Sequence, residues 1–145
     1  MENDQLHMEE SIKAFIQSIN ENEADSIIPM LRPAFVECSA GDATLIMSYP
    51  AMRWERNPLN VMQGGVVATI LDFSIACMAI YYGGGKAMTV SLQTSYLRGC
   101  PIDGTMMVKV RVTKAGRNMI HAFAECWEEK TPDKLVATCV GVYYA

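Results

Sequence analysis

The sequence predicts an α+β domain in which a curved antiparallel sheet wraps around one long central helix, with an extra helix at the N-terminal end. Three observations carry this prediction. Residues 66–82 are apolar around nearly the whole helical circumference, which marks a buried helix rather than a surface one. Four runs of strand length follow, separated by short breaks with turn chemistry. A hairpin-like pair of extended runs precedes the helix, between residues 34 and 49.

The elements follow in chain order. A chain of 145 residues, 50% hydrophobic and 19% charged, can bury one good core, so a single domain is expected over 1–145, with 1–6 flexible. Residues 7–20 place Met8, Ile12, Phe15, Ile16 and Ile19 at helical spacing, with Asn20 as a stop. Pro29 and Pro33 interrupt the chain, and extended runs at 34–38 and 43–49 flank the turn-like Ala40-Gly41-Asp42. Residues 50–63, with Pro50 and Pro58, read as a loop that leads to Gly64. The apolar helix then runs until Gly83-Gly84-Gly85 ends it. Four meandering strands are expected at 88–97, 105–114, 118–128 and 135–144, with turns at Pro101 to Gly104, Ala115-Gly116 and Thr131 to Asp133. The second alternates, with Met106, Val108, Val110 and Val112 on one face and Lys109 and Arg111 on the other. The third offers a small-residue face, Ile120, Ala122, Ala124 and Cys126, suited to a close-packed helix, and the last is apolar on both faces.

Composition narrows the function. A net charge of −4 and a pI near 5.1 leave no electrostatic footprint for nucleic acid, so a phosphate-bearing ligand would need a local basic cluster. The five cysteines are widely spaced and contain no C-x-x-C pair, which argues against zinc or redox chemistry and for free thiols in a reducing cytoplasm. The N-terminus is acidic where a secretory signal is basic, and Asp72 splits the apolar helix. Neither a signal peptide nor a membrane span is expected, and no metal site.

One stretch carries chemistry. Gly64-Gly65 opens the central helix, where backbone N–H groups and the helix dipole favour developing negative charge, and Gly64 lets a ligand approach its N–H closely. Asp72 is the lone carboxylate of that helix, and it serves either as a reactive group or as a side chain bonded to a neighbouring hydroxyl such as Thr69. The two lie eight positions apart, about 12 Å at a rise of 1.5 Å per residue, too far to serve one carbonyl within a single chain. That spacing favours a site shared between two copies.

The ordered set Asn57, Gly64-Gly65, Asp72, the strand opening at Thr89 through Tyr96-Leu97-Arg98, Gly116-Arg117 and the closing Lys134-Leu-Val-Ala-Thr resembles the hotdog-fold thioesterases. Within them it is similar to the phenylacetate-degradation type of acyl-CoA thioesterase, over roughly residues 32–144. The resemblance implies homodimers or dimers of dimers with active sites at the subunit interface, an acyl-CoA substrate, and no cofactor beyond the coenzyme A of that substrate. Carried over by position, Asp72 becomes the nucleophile or general base and Gly64 the donor to the thioester carbonyl. Asn57 would orient the carbonyl or the water, and Thr89 would stand beside the carboxylate. Gln63 stands where the family usually has His, and its amide can still donate. Gly65, the adaptable side chains Met62 and Met88, and the guanidinium groups of Arg98 and Arg117 are the candidate substrate contacts. Bland readings stand beside these: Asn57 as a turn residue, Gln63 as a helix cap, Thr89 as a strand residue, and the arginines as solvated surface. The competing function is a non-catalytic acyl-CoA or lipid-binding protein. A hydratase of the same fold is disfavoured because no histidine lies near the helix entrance.

Overall fold

Helix α1 spans Glu2–Asn22 in the computed structural model, which describes residues 2–145. It is longer at both ends than the expected 7–20. Met8, Ile12 and Ile16 form its buried stripe, and Phe15 stacks on Phe73 at 6.0 Å between ring centroids. The extra N-terminal turn has a cause. Gln5 donates through Nε2 to the Cys38 carbonyl at 2.8 Å and accepts from the Ala40 N–H at 2.8 Å, so the residues expected to be flexible close the end of the first hairpin. Met1, also placed in that flexible stretch, lies outside the described residues.

A short helix α2 (Ile27–Met30) fills the proline-interrupted stretch and leads into β1 (Ala34–Ser39) and β2 (Thr44–Pro50), the expected hairpin. A single turn of 3-10 helix at Arg53–Glu55 precedes α3 (Gly64–Gly83). Gln63 caps the start of α3, accepting from the Val66 N–H at 3.1 Å, and Gly84, with φ of 80°, closes the end in the left-handed conformation. By length and hydropathy α3 is apolar enough to cross a membrane, but here it is the core helix, with half of its most apolar window buried inside the protein.

Strands β3 (Met88–Tyr96), β4 (Thr105–Ala115), β5 (Met119–Glu128) and β6 (Leu135–Tyr144) complete one antiparallel sheet of six, in the order β1-β2-β4-β5-β6-β3. The four C-terminal strands therefore do not form a simple meander. Strand β4 pairs with β2 along seven residues, and β3 is carried to the far edge beside β6. Helix α3 packs against the strands from β2 across to β3, and β3 returns alongside the last strand to bond to the first half of the helix, at Gly64 and Asp72.

The expected core faces are as read. Met106, Val108 and Val110 point inward from β4, while Lys109 and Arg111 face solvent. Ala122 and Ala124 of β5 are buried where α3 packs closest. A buried polar pair, Tyr49 to Ser74 at 2.8 Å, is satisfied because Ser74 also donates to the Ile70 carbonyl. All five cysteines are free. Burial pushes the Cys126 thiol up to about 12 and Cys100 up to about 11, so neither is a nucleophile at neutral pH.

The two sheet edges differ. The β1 edge lies beside α1 and is tied to it through Gln5, whereas β3 is open to solvent along nearly its whole length. It exposes Met88, Val90 and Tyr96, with Leu97 just beyond its end.

Candidate active site

The loop before α3 is held from both sides. The Glu55 carboxylate accepts from the Met52 N–H at 2.5 Å, the Glu55 carbonyl accepts from the Gln63 N–H at 2.8 Å, and Met62 N–H bonds to the Cys100 carbonyl. Between these anchors the Asn57 Oδ1 accepts from the N–H groups of Leu59 (2.9 Å) and Val61 (3.3 Å). Asn57 is thus a turn residue by its oxygen, which leaves its amide nitrogen as a donor. Gln63 is engaged in the same way: Oε1 caps the helix and Nε2 remains a donor.

Gly64 and Gly65 are the first two residues of α3, so their N–H groups have no acceptor within the helix. No bond to either is made among the described residues. The Gly64 carbonyl is fixed by the Tyr96 hydroxyl, which donates to it at 2.7 Å. A Cβ at Gly64 would meet the Tyr96 ring at an ordinary 3.5 Å, so this glycine is not demanded by packing within the protomer. At Gly65 a Cβ would lie 2.8 Å from the capping Gln63 Oε1. A cleft of about 330 Å³ opens over this helix end, lined by Asn57, Val61, Met62, Gly64, Tyr96, Leu97, Arg98 and Gly99.

Two turns along the same helix, the half-buried Asp72 is held from the sheet. Its Oδ1 accepts from the Thr89 hydroxyl at 2.8 Å and from the Tyr143 hydroxyl at 2.5 Å, and Tyr143 also reaches the Asp72 main-chain carbonyl at 2.9 Å. Burial first, then the hydrogen bond to Asp72, pushes the Tyr143 phenol far above its usual 10.0, so it keeps its proton and acts as a donor. Thr69, the alternative partner considered for Asp72, instead donates to the Gly65 carbonyl.

Strand β3 supplies a hydroxyl to each place. Thr89 and Tyr96 are an odd number of residues apart, which in a regular strand sends them to opposite faces. A bulge between Thr89 and Ser91 leaves Val90 without a partner on β6, and the phase shift turns both hydroxyls toward α3.

With this geometry the chain can be set beside known proteins. Residues 59–134, which include Gly64, Asp72 and strand β3, match the Thioesterase superfamily. The chain belongs to that superfamily. Its fold is the hotdog fold, as three solved relatives show. The PaaI protein of the E. coli phenylacetic acid degradation operon superposes with a TM-score of 0.81 at 15% identity, over 97% of this chain and 94% of that one. A phenylacetic acid degradation-related protein of Ralstonia eutropha JMP134 gives 0.75 at 21%, over 90% and 98%. A Streptococcus mutans protein bound to acetyl CoA gives 0.69 at 17%, over 77% and 86%. No curated protein matches the chain.

Among the positions a thioesterase-superfamily reading singles out, Asn57, Met62, Gly64 and Arg98 line one cleft and Gln63 and Gly65 border it, while Asp72 and Thr89 meet at the second place. Met88 and Arg117 are not in that cleft. Met88 pairs with Tyr144, which pairs with Met119, so Met88 and the turn residue Arg117 share the end of the sheet opposite Arg98. Met62 is 3% exposed and lines the cleft, while Met88 is 72% exposed and lies outside it. Sequence reading missed Tyr96 and Tyr143. Tyr143 stands in apolar company and Tyr96 follows the polar Gln93-Thr94-Ser95, and for both only the pairing register reveals that the hydroxyl reaches the helix. The glycine two places before Tyr143 is the one trace of it in the sequence.

Proposed function

We propose that the chain hydrolyses acyl-CoA thioesters to the free acid and coenzyme A, with a small-to-medium acyl or aryl-acyl group. The observation that carries this reading is the Asp72 carboxylate, held on an otherwise apolar helix by two hydroxyls from the sheet within a thioesterase-superfamily fold. The Gly64 N–H at the helix entrance is suited to polarise the thioester carbonyl and to bind the oxyanion that follows. Asn57 and Gln63 add amide donors at the mouth of the cleft, and Arg98 adds a cation for the phosphates of coenzyme A. The acetyl CoA held by the S. mutans relative supports the choice of thiol.

In the general-base form, Asp72 takes a proton from water as the water oxygen bonds to the carbonyl carbon. The tetrahedral oxyanion collapses, the C–S bond breaks, and the thiolate takes the proton back as free thiol. In the nucleophilic form the carboxylate attacks first and expels the thiolate, and water then cleaves the mixed anhydride, which frees the Asp72 carboxylate and the acid while a proton from that water goes to the thiolate.

Because Gly64 and Asp72 are two helical turns apart, one carbonyl is served by Gly64 of one copy and Asp72 of another. The open β3 edge suggests how. Antiparallel pairing of β3 with the β3 of a second copy, with Tyr96 set opposite Thr89, also brings Leu92 opposite Thr94 and Ser91 opposite Ser95 once Val90 is left out as the bulge. The Tyr96–Thr89 and Leu92–Thr94 pairs face α3, the Ser91–Ser95 pair faces away from it, and the two-fold axis falls at Gln93. Each Gly64 then stands beside the other copy's Asp72, and Arg98 lies toward the same side as the other copy's Met88 and Arg117.

The test is release of free thiol from a panel of acyl-CoAs. Asp72→Asn is expected to lower kcat by about 10²–10⁴-fold, and an unchanged rate would remove Asp72 from the mechanism. Tight binding of every member of the panel without turnover would select the non-catalytic binding protein instead.

A further inference from the structure

Asp72 alone does not explain how its carboxylate is aimed. Both donors to it converge on one oxygen, Oδ1, and no bond to Oδ2 is made among the described residues. The donors come from directly paired positions, Thr89 of β3 opposite Tyr143 of β6, so one rung of the sheet addresses one point on the helix. They differ in rigidity. Thr89 lies on the exposed edge strand, whereas Tyr143 is 0% exposed on β6, which is paired on both sides, and can hold its hydroxyl still.

The ring of Tyr143 has a seat made for it. Gly141 precedes it on the same face, and a Cβ there would lie 3.1 Å from the Tyr143 ring and 3.0 Å from Ile75 of α3. Gly141 has no positive φ, so the backbone does not require glycine, and the close approach of ring and helix does.

We infer that Tyr143 is a positioning residue, which together with Thr89 fixes the Asp72 carboxylate through Oδ1 and leaves Oδ2 as the oxygen that reacts. The inference rests on the reading of Asp72 given above. With its proton retained, Tyr143 is a standing donor and takes no proton from water itself. A carboxylate on a single helix turns freely about two side-chain torsions. Two donors from separate strands remove that freedom before substrate arrives, which acts on the rate of the chemical step and not on substrate affinity.

The experiment compares wild type, Asp72→Asn and Tyr143→Phe by thiol release with one good acyl-CoA, with folding followed by circular dichroism. Tyr143→Phe adds no atoms and is expected to lower kcat by about 10- to 100-fold with KM within about twofold of wild type. Wild-type kcat in Tyr143→Phe, or a change confined to KM, overturns the inference if Asp72→Asn is inactive. Wild-type kcat in Asp72→Asn instead overturns the reading of Asp72 on which it rests. Should Tyr143→Phe fail to fold, Gly141→Ala provides the second reading, since it keeps the hydroxyl but displaces the ring. A lower kcat at unchanged KM supports the positioning role, and wild-type kcat overturns it.

Discussion

Replacing Gly64 by proline removes one hydrogen-bond donor and almost nothing else. Gly64 is the first helical residue of α3, where proline is favoured because the N–H has no partner within the helix and φ is already set. The residue before it, Gln63, has φ −63° and ψ 139°, the extended conformation that a following proline demands. A Cβ at this position has Tyr96 as its nearest neighbour, at an ordinary 3.5 Å. The stability of Gly64→Pro should therefore stay within about 0.5 kcal/mol of wild type. If Gly64 N–H binds the oxyanion, kcat should fall about 10²–10³-fold, or about 2.7–4 kcal/mol of transition-state stabilisation. The assay is thiol release with saturating acyl-CoA, with Gly64→Ala alongside as the control that keeps the N–H. The same variant tests the shared site. Unfolded and refolded together in equal amounts, Gly64→Pro and Asp72→Asn chains form mixed dimers in half of cases. Each mixed dimer has one intact site, so about a quarter of wild-type activity returns. Wild-type kcat in Gly64→Pro refutes the oxyanion role, and background activity in the mixture refutes the division of the site between copies.

Three further outcomes are expected. Gln93→Cys should give a covalent dimer on mild oxidation, while Ser95→Cys should link only when mixed with Ser91→Cys; self-linking of Ser95→Cys on denaturing gels would rule out the register through Gln93. Ala124→Leu, at a fully buried position where β5 meets α3, should lower stability by about 1–3 kcal/mol in urea unfolding, and an unchanged midpoint would show that the contact is loose. Burial raises the Tyr143 and Tyr49 phenols above their ordinary 10.0, so the folded state holds those protons more tightly than the unfolded chain. Their contribution is fully present below pH ~10 and is lost as pH rises beyond it, so melting temperature should fall across the alkaline range, less steeply in Tyr143→Phe.

Much of the fold was legible because single segments carried their own periodicity. Residues 66–82 read as a core helix, and the alternation through Met106, Val108 and Val110 named the inward face of β4 before any partner was known. The strand order was not legible in the same way. Whether β3 lies beside β4 or beside β6 depends on how the sheet must close over α3, a property of the assembled layers and not of any window of sequence. The site divides along the same line. Asp72 stood out as a carboxylate in an apolar helix, and Gly64 as a glycine at a helix start. Tyr96 and Tyr143 did not, because the partner of each hydroxyl is dozens of residues away, and the apolar run around Tyr143 hides a tyrosine among its neighbours. In Asn57 and Gln63 the oxygen serves the local turn or cap, which leaves the nitrogen for the role proposed above.

The unpaired Val90 has a consequence for how the sequence can change over time. Its side chain is 56% exposed and no strand partner depends on it, so many exchanges at this codon should pass with little effect on the fold. Loss of the codon should be tolerated too. With one residue fewer, Thr89 and Tyr96 would lie six positions apart, and a regular strand without the bulge would still turn both hydroxyls toward α3. At this position the chain tolerates a change of count as well as a change of chemistry. Among related sequences, variation there should run freely in residue type and should include loss of the residue.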